Sequence, residues 1–133
     1  MTGSVDLRIA ALLPLNPAHE SYYVGRMLQG AISLFEEDIN SDPQILPGQK
    51  LLVIHGNSGG DEPPVALSSA TRLFSEAEGN DGTLVGWLGP FDSPSCRATQ
   101  TLIQGLKLPQ LSYGCIDASL SSKKEFPVQH TTL

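Results

Sequence analysis

The chain alternates between two hydrophobic periods. "DLRIAALLPL", residues 6 to 15, is an unbroken apolar run closed by proline, as expected of a strand buried on both faces. From Tyr22 to Asn40 the period lengthens. Val24, Met27, Leu28, Ala31, Leu34, Phe35 and Ile39 fall on one helical stripe, with Arg26, Glu36 and Glu37 mostly elsewhere. "NSDPQILPGQ" then breaks the helix with two prolines and a glycine. "KLLVIHG" (50 to 56) reads as a second buried strand. Pro63-Pro64 sits where a helix's first turn tolerates proline, and Leu67, Ala70, Leu73, Phe74 and Ala77 carry that helix to Gly79. "TLVGWLG" (83 to 89) is a third strand. Ser93-Pro94 predicts an N-cap and first helical residue, opening a helix that runs to about Gly105. "PQLSY" is a fourth strand, and "FPVQHTTL" can begin a fifth.

This βαβαβαβ order predicts an α/β fold: a doubly wound, mostly parallel sheet in the order 2-1-3-4, with helices on both faces and right-handed crossovers. The 133 residues suit a single domain spanning 1–133. In such a sheet, ligands sit outside the carboxyl ends of the strands where strand order reverses, here between the first and third. "YGCID" follows the carboxyl end of the fourth strand, so its polar atoms are expected in that crevice.

Charge narrows the partners. A net charge of -6 argues against nucleic acid, which requires a basic face. The longest apolar run, "IAALLPL", is too short to span a bilayer, and "MTGSVDLR" has neither the basic nor the apolar region of a signal peptide.

Common tenants of this architecture fail on their motifs. No GxxxxGK[ST] string exists, and the turn after the first strand, "LNPAHESYYVG", is too poor in glycine for a pyrophosphate. The Ser/Thr/Gly phosphate loop of a flavodoxin is missing there, as are the acidic residues a receiver domain uses to hold magnesium. His19, His55 and His130 lie on separate segments, no metal-ligand spacing appears, and nothing supplies Cys115 with a base. No catalytic residue, cofactor or metal is therefore expected. A stand-alone flavodoxin-like enzyme or nucleotide-binding domain is the alternative reading.

Two loops carry the remaining information. In "GPFDSPSCR", Ser93 and Ser95 lie at a helix N-terminus whose free N–H groups favour a small anion or a ligand carboxylate; the residues by themselves favour the simpler reading, that Ser93 caps its own helix. In "SYGCIDASLSS", Asp117 or Ser119 can cap a short helix. Cys96 sits seven residues beyond Gly89, already inside the helix, whereas Cys115 is two past Tyr113. That offset favours two separate thiols over a disulfide.

Three stretches, "DINSDPQILPGQKLLVIHGNS", "VGWLGPFDS" and "LPQLSYGCIDASLSSKKEFP", resemble the N-terminal lobe of the type I periplasmic-binding-protein fold. This is the ligand-binding region of class C G-protein-coupled receptors, GABA type B receptors above all, and of natriuretic-peptide receptor guanylate cyclases. The resemblance covers nearly the whole chain. It implies a two-lobe clamp on the extracellular side of the plasma membrane, binding an amino-acid-like or peptide ligand. It further implies a second lobe and membrane part outside these residues, and a receptor dimer through the first lobe. Carried over by position, ligand contacts fall on Ser93, Ser95, Tyr113, Cys115, Ile116 and Asp117. Relatives carry a disulfide between positions that here read Gly60 and about Asp92, and an arginine where Thr131 stands. Asp92 and Asp117 put negative charge where a ligand carboxylate would be received.

Overall fold

Strand β1 (Asp6–Leu13) is where the strand order reverses, because β2 (Lys50–Asn57) pairs with one of its edges and β3 (Gly82–Leu88) with the other. It runs parallel to β2 from Asp6↔Lys50 to Leu13↔Asn57 and parallel to β3. β3 pairs with β4 (Gln110–Ser112), and β4 with β5 (Gln129–Thr131), all parallel. The computed structural model describes residues 6–78, 82–121, 124 and 129–131. Its sheet has the order β2-β1-β3-β4-β5, so the expected 2-1-3-4 arrangement holds and the fifth strand extends it. The expected helix end at Gly79 and residues 126–128 lie outside the described residues.

A strand clothed on both faces has no polar alternation, and Ala10, Ala11, Leu12 and Leu13 are all completely buried. Even-numbered Ala10 and Leu12 join Ala70, Leu73, Ala77, Leu84, Trp87 and Ile103 beneath α2 (Pro63–Glu78) and α3 (Ser93–Leu106). Odd-numbered Ala11 and Leu13 join Ile32, Leu51 and Val53 beneath α1 (Tyr22–Ser41). The strand period of two thus divides one run between two cores. In α2, alanines at 66, 70 and 77 allow close approach to the sheet, and a Cβ at Gly56 would lie 2.7 Å from the Leu73 side chain.

α1 departs from its sequence pattern. Leu28, Ile32 and Ile39 pack inward, but Met27, Leu34 and Phe35 are exposed although they share the predicted stripe. The polar flank of α1 has its own task. β2 is an edge strand, and Asn40 closes its free backbone by accepting from Leu51 N–H and donating to Leu51 C=O, both at 2.7 Å, while Glu36 accepts from Val53 N–H at 2.6 Å.

The N-terminus of α3 lies one residue earlier than predicted. Asp92, not Ser93, is the N-cap: its Oδ1 accepts from Ser95 N–H at 2.9 Å in extended backbone, and Pro94 follows inside the first turn. Either residue type caps well, and Ser93 instead lends its Oγ to Asp117 N–H. Gly89 has φ 85°, and a Cβ on it would stand 2.3 Å from Leu12 O. Only glycine fits that turn.

Candidate functional site

The carboxyl ends of β1, β2, β3 and β4 converge on one edge, and their loops are tied to each other rather than left loose. Asn57 links the first two: its Oδ1 accepts from Leu15 N–H at 2.9 Å and Gly59 N–H at 2.8 Å, while Ser58 N–H donates to Leu13 O at 2.7 Å. Asn16 donates to Glu62 at 3.0 Å across the same gap. The His19 ring lies directly over Gly60, where a Cβ would sit 2.2 Å from the ring. A side chain at position 60 would therefore have to displace the His19 ring.

The turn after β3 is braced from below. Gln110 Nε2 donates to Gly89 O at 3.0 Å and to Thr99 Oγ1 at 3.2 Å inside the core. Tyr113 donates its hydroxyl to Leu12 O at 2.7 Å and sets its ring beside Phe91, centroids 6.0 Å apart. Burial first, and the Asp92 charge second, push the Tyr113 phenol well above its ordinary value, so it stays protonated and a donor.

Cys96 and Cys115 form a disulfide, with Cα atoms 6.5 Å apart. This overturns the expectation of separate thiols. Residues 89–92 turn across the sheet edge instead of rising from it, so Cys96, in the first turn of α3, stays level with Cys115. Both sulfurs lie against Pro90 O, at 3.6 and 3.3 Å, and with Leu120 they make a small core under the loop.

Above that core the loop 113–121 docks onto α3. Ser93 Oγ accepts from Asp117 N–H at 3.1 Å. Arg97, one turn into α3, pairs with the Asp117 carboxylate and donates to Ser119 Oγ at 2.8 Å. Asp117 Oδ1 accepts from Ser119 N–H at 2.9 Å, opening the 3-10 turn Ala118–Ser121. That backbone donor first, and Arg97 next, hold the Asp117 carboxyl down to about 2.

The candidate residues therefore separate. Ser93, Ile116 and Asp117 reach solvent at the crevice edge, and Ile116 is 71% exposed. Ser95 is wholly buried, with an Oγ that has no hydrogen-bond partner, and Cys115 is buried in its disulfide. Tyr113 is half-buried with its hydroxyl committed to the chain. Asp92 spends Oδ1 on its cap, and its Oδ2 is buried without a partner. Arg97 was missed by sequence reasoning, because its partner lies 20 residues away and a lone arginine on a helix signals nothing. Among the described residues no group of three His, Cys, Asp or Glu is placed to hold a metal.

A doubly wound lobe whose cross-tied loops crown the switch point is the frame of a binding cleft, and the family comparison agrees. The model for "Receptor family ligand binding region" (ANF receptor) matches residues 27–133. The chain belongs to that family. Gamma-aminobutyric acid type B receptor subunit 1 of Mus musculus is 30% identical over 123 residues, as is its Rattus norvegicus counterpart. Each alignment covers 90% of this chain and 12% of the relative. Guanylate cyclase 32E of Drosophila melanogaster is 27% identical over 108 residues, covering 81% of this chain and 9% of the relative. The chain thus spans about an eighth or less of the curated relatives it matches. Among the described residues no helix is long and apolar enough to cross a membrane.

Proposed function

We propose that the chain is the non-catalytic first lobe of a ligand-binding region in a membrane receptor, of the class C G-protein-coupled or guanylate cyclase kind. It would face the outside of the plasma membrane and take a small amino-acid-like or peptide ligand. The observation that carries this reading is the junction of Ser93, Asp117, Arg97 and Ser119, which fixes two crevice loops to one helix end at the sheet's switch point. Ser93, Ile116, Asp117 and Arg97 are its ligand-facing groups. Tyr113, Ser95 and Cys115 hold the turn beneath them. A second lobe, closing from the far side, would complete the contacts, and contact between first lobes is the expected route to a receptor dimer.

The chemistry of the helix end selects among ligands. In a site built to receive a carboxylate, the N-terminal N–H groups of the helix stay open. Here Asp92 already occupies that end: its Oδ1 accepts from Ser95 N–H and its backbone C=O from Cys96 N–H, while Pro94 has no N–H to offer. The Asp117 charge, by contrast, is offset by Arg97, so the crevice edge is less anionic than its sequence suggests. This arrangement supports an amine-bearing or neutral ligand group at α3 rather than a carboxylate. Amide chemical shifts of the isotope-labelled chain, titrated with GABA, with a short amidated peptide and with butyrate, test the proposal. The amidated peptide and GABA should move Ser93, Arg97 and Asp117, with butyrate inert. Shifts elsewhere, or a response to butyrate alone, would count against it.

A further inference from the structure

The crevice rim carries an apolar side chain that its own loop keeps in the open. Ile116 is 71% exposed, yet the backbone on both sides of it is pinned. Cys115 is tied by its disulfide to Cys96, and Asp117 N–H donates to Ser93 Oγ at 3.1 Å. Gly114 lies flush on Phe91, where a Cβ would stand 2.5 Å from Phe91 O and 2.6 Å from the ring. The Phe91 ring in turn sits beside Tyr113. Scattered exposed apolar residues are ordinary on a protein surface. This one is held in place beside polar groups that have hydrogen bonds left to give.

Those polar groups divide sharply into spent acceptors and open donors. Asp117 has both carboxylate oxygens engaged, Oδ1 by Ser119 N–H at 2.9 Å and Oδ2 by Arg97. Tyr113 gives its hydroxyl proton to Leu12 O. Asp92 caps α3 with Oδ1, and its Oδ2 is buried. Ser93 Oγ, by contrast, accepts from Asp117 N–H and so keeps its own proton to donate. Arg97 makes its contacts among the described residues through Nη2, which leaves the N–H groups of Nη1 and Nε.

Charge then selects among ligand groups. Two carboxylates, Asp92 and Asp117, stand against one guanidinium, so a ligand carboxylate is repelled. A ligand ammonium is attracted, but it finds its acceptor only by displacing Arg97 from Asp117. An uncharged acceptor meets neither obstacle. Building on the receptor reading above, we propose that this rim selects an uncharged amide carrying an apolar side chain, as inside a peptide or at an amidated end. The amide oxygen accepts from Ser93 O–H and Arg97, and the apolar side chain packs on Ile116. Ile116 directly precedes the N–H that binds Ser93, so one ligand residue, about 4 Å long, reaches both. A free amino acid, with a carboxylate in place of the amide, is the poorer ligand.

Amide and methyl chemical shifts of the isotope-labelled chain, titrated with N-acetyl-leucinamide, N-acetyl-glycinamide and free leucine, test this. N-acetyl-leucinamide should move the Ile116 methyls together with Ser93 and Arg97. It should half-saturate at about threefold lower concentration than N-acetyl-glycinamide, with free leucine weakest. Ile116→Ser should erase the advantage of the leucine side chain, and Ser93→Ala should weaken both amides, with amide dispersion reporting that each variant is folded. Free leucine binding as tightly as N-acetyl-leucinamide, or an advantage that survives Ile116→Ser, would overturn the inference while leaving the rim as the ligand site. Shifts that avoid Ser93, Arg97 and Ile116 with all three probes would overturn both the inference and the placing of the ligand on this rim.

Discussion

His55 sits on β2 between Ile54 and Gly56, and burial lowers its pKa below the ordinary 6.5, with the Glu36 charge only partly opposing. The folded state therefore prefers the neutral ring. Stability from this preference is complete above the unfolded value and is lost as pH falls below about 6.5, because the unfolded chain then binds the proton more readily. Denaturant midpoints measured between pH 7.5 and 5 should fall with acidification, and His55→Gln should flatten that slope. Asp117 does not interfere, since its depressed carboxyl acts only in much stronger acid. At the N-terminus of α3, Asp92 and Ser93 are both good caps one residue apart; Asp92 takes the role, and Ser93 Oγ accepts from Asp117 N–H instead.

Elements were legible where a pattern repeats and illegible where partners are far apart in sequence. The uninterrupted run in β1 and the small residues of α2 mark a sheet covered on both faces, and strand order followed from alternation. The exposed half of α1 was hidden, because a stripe of apolar residues does not say which of them face a sheet. The Cys96–Cys115 bridge was misread because the path of residues 89–92 across the sheet edge has no signature in residue type. Its consequence is testable. A loop closed by cysteines 19 residues apart should contribute about 3 kcal/mol by restricting the unfolded chain. The intact chain should gain the mass of the added hydrogens on reduction. Cys96→Ser with Cys115→Ser should lower the denaturation free energy by about that amount, with the largest amide-exchange increase in residues 113–121. An unchanged mass on reduction would mean the thiols are free.

At the scale of the whole molecule, the groups proposed to face a ligand all lie on one rim of the crevice: Ser93 and Arg97 on α3, and Ile116 and Asp117 on the loop after β4. A small ligand resting there keeps one side in water, so its charged ends remain hydrated and gain little from the protein's groups. Enclosure matters because ligand pockets bury most of the ligand surface, and low local dielectric strengthens each polar contact. With one rim only, affinity should be no better than about millimolar, near -4 kcal/mol. Calorimetry on the isolated chain with GABA or an amidated dipeptide should give weak heats that never saturate at micromolar ligand. In a polypeptide that also carries a second lobe, the same titration should tighten by orders of magnitude, and Arg97→Ala should weaken it. Micromolar binding to the 133-residue chain by itself would mean that this lobe already encloses its ligand, against the open rim described above.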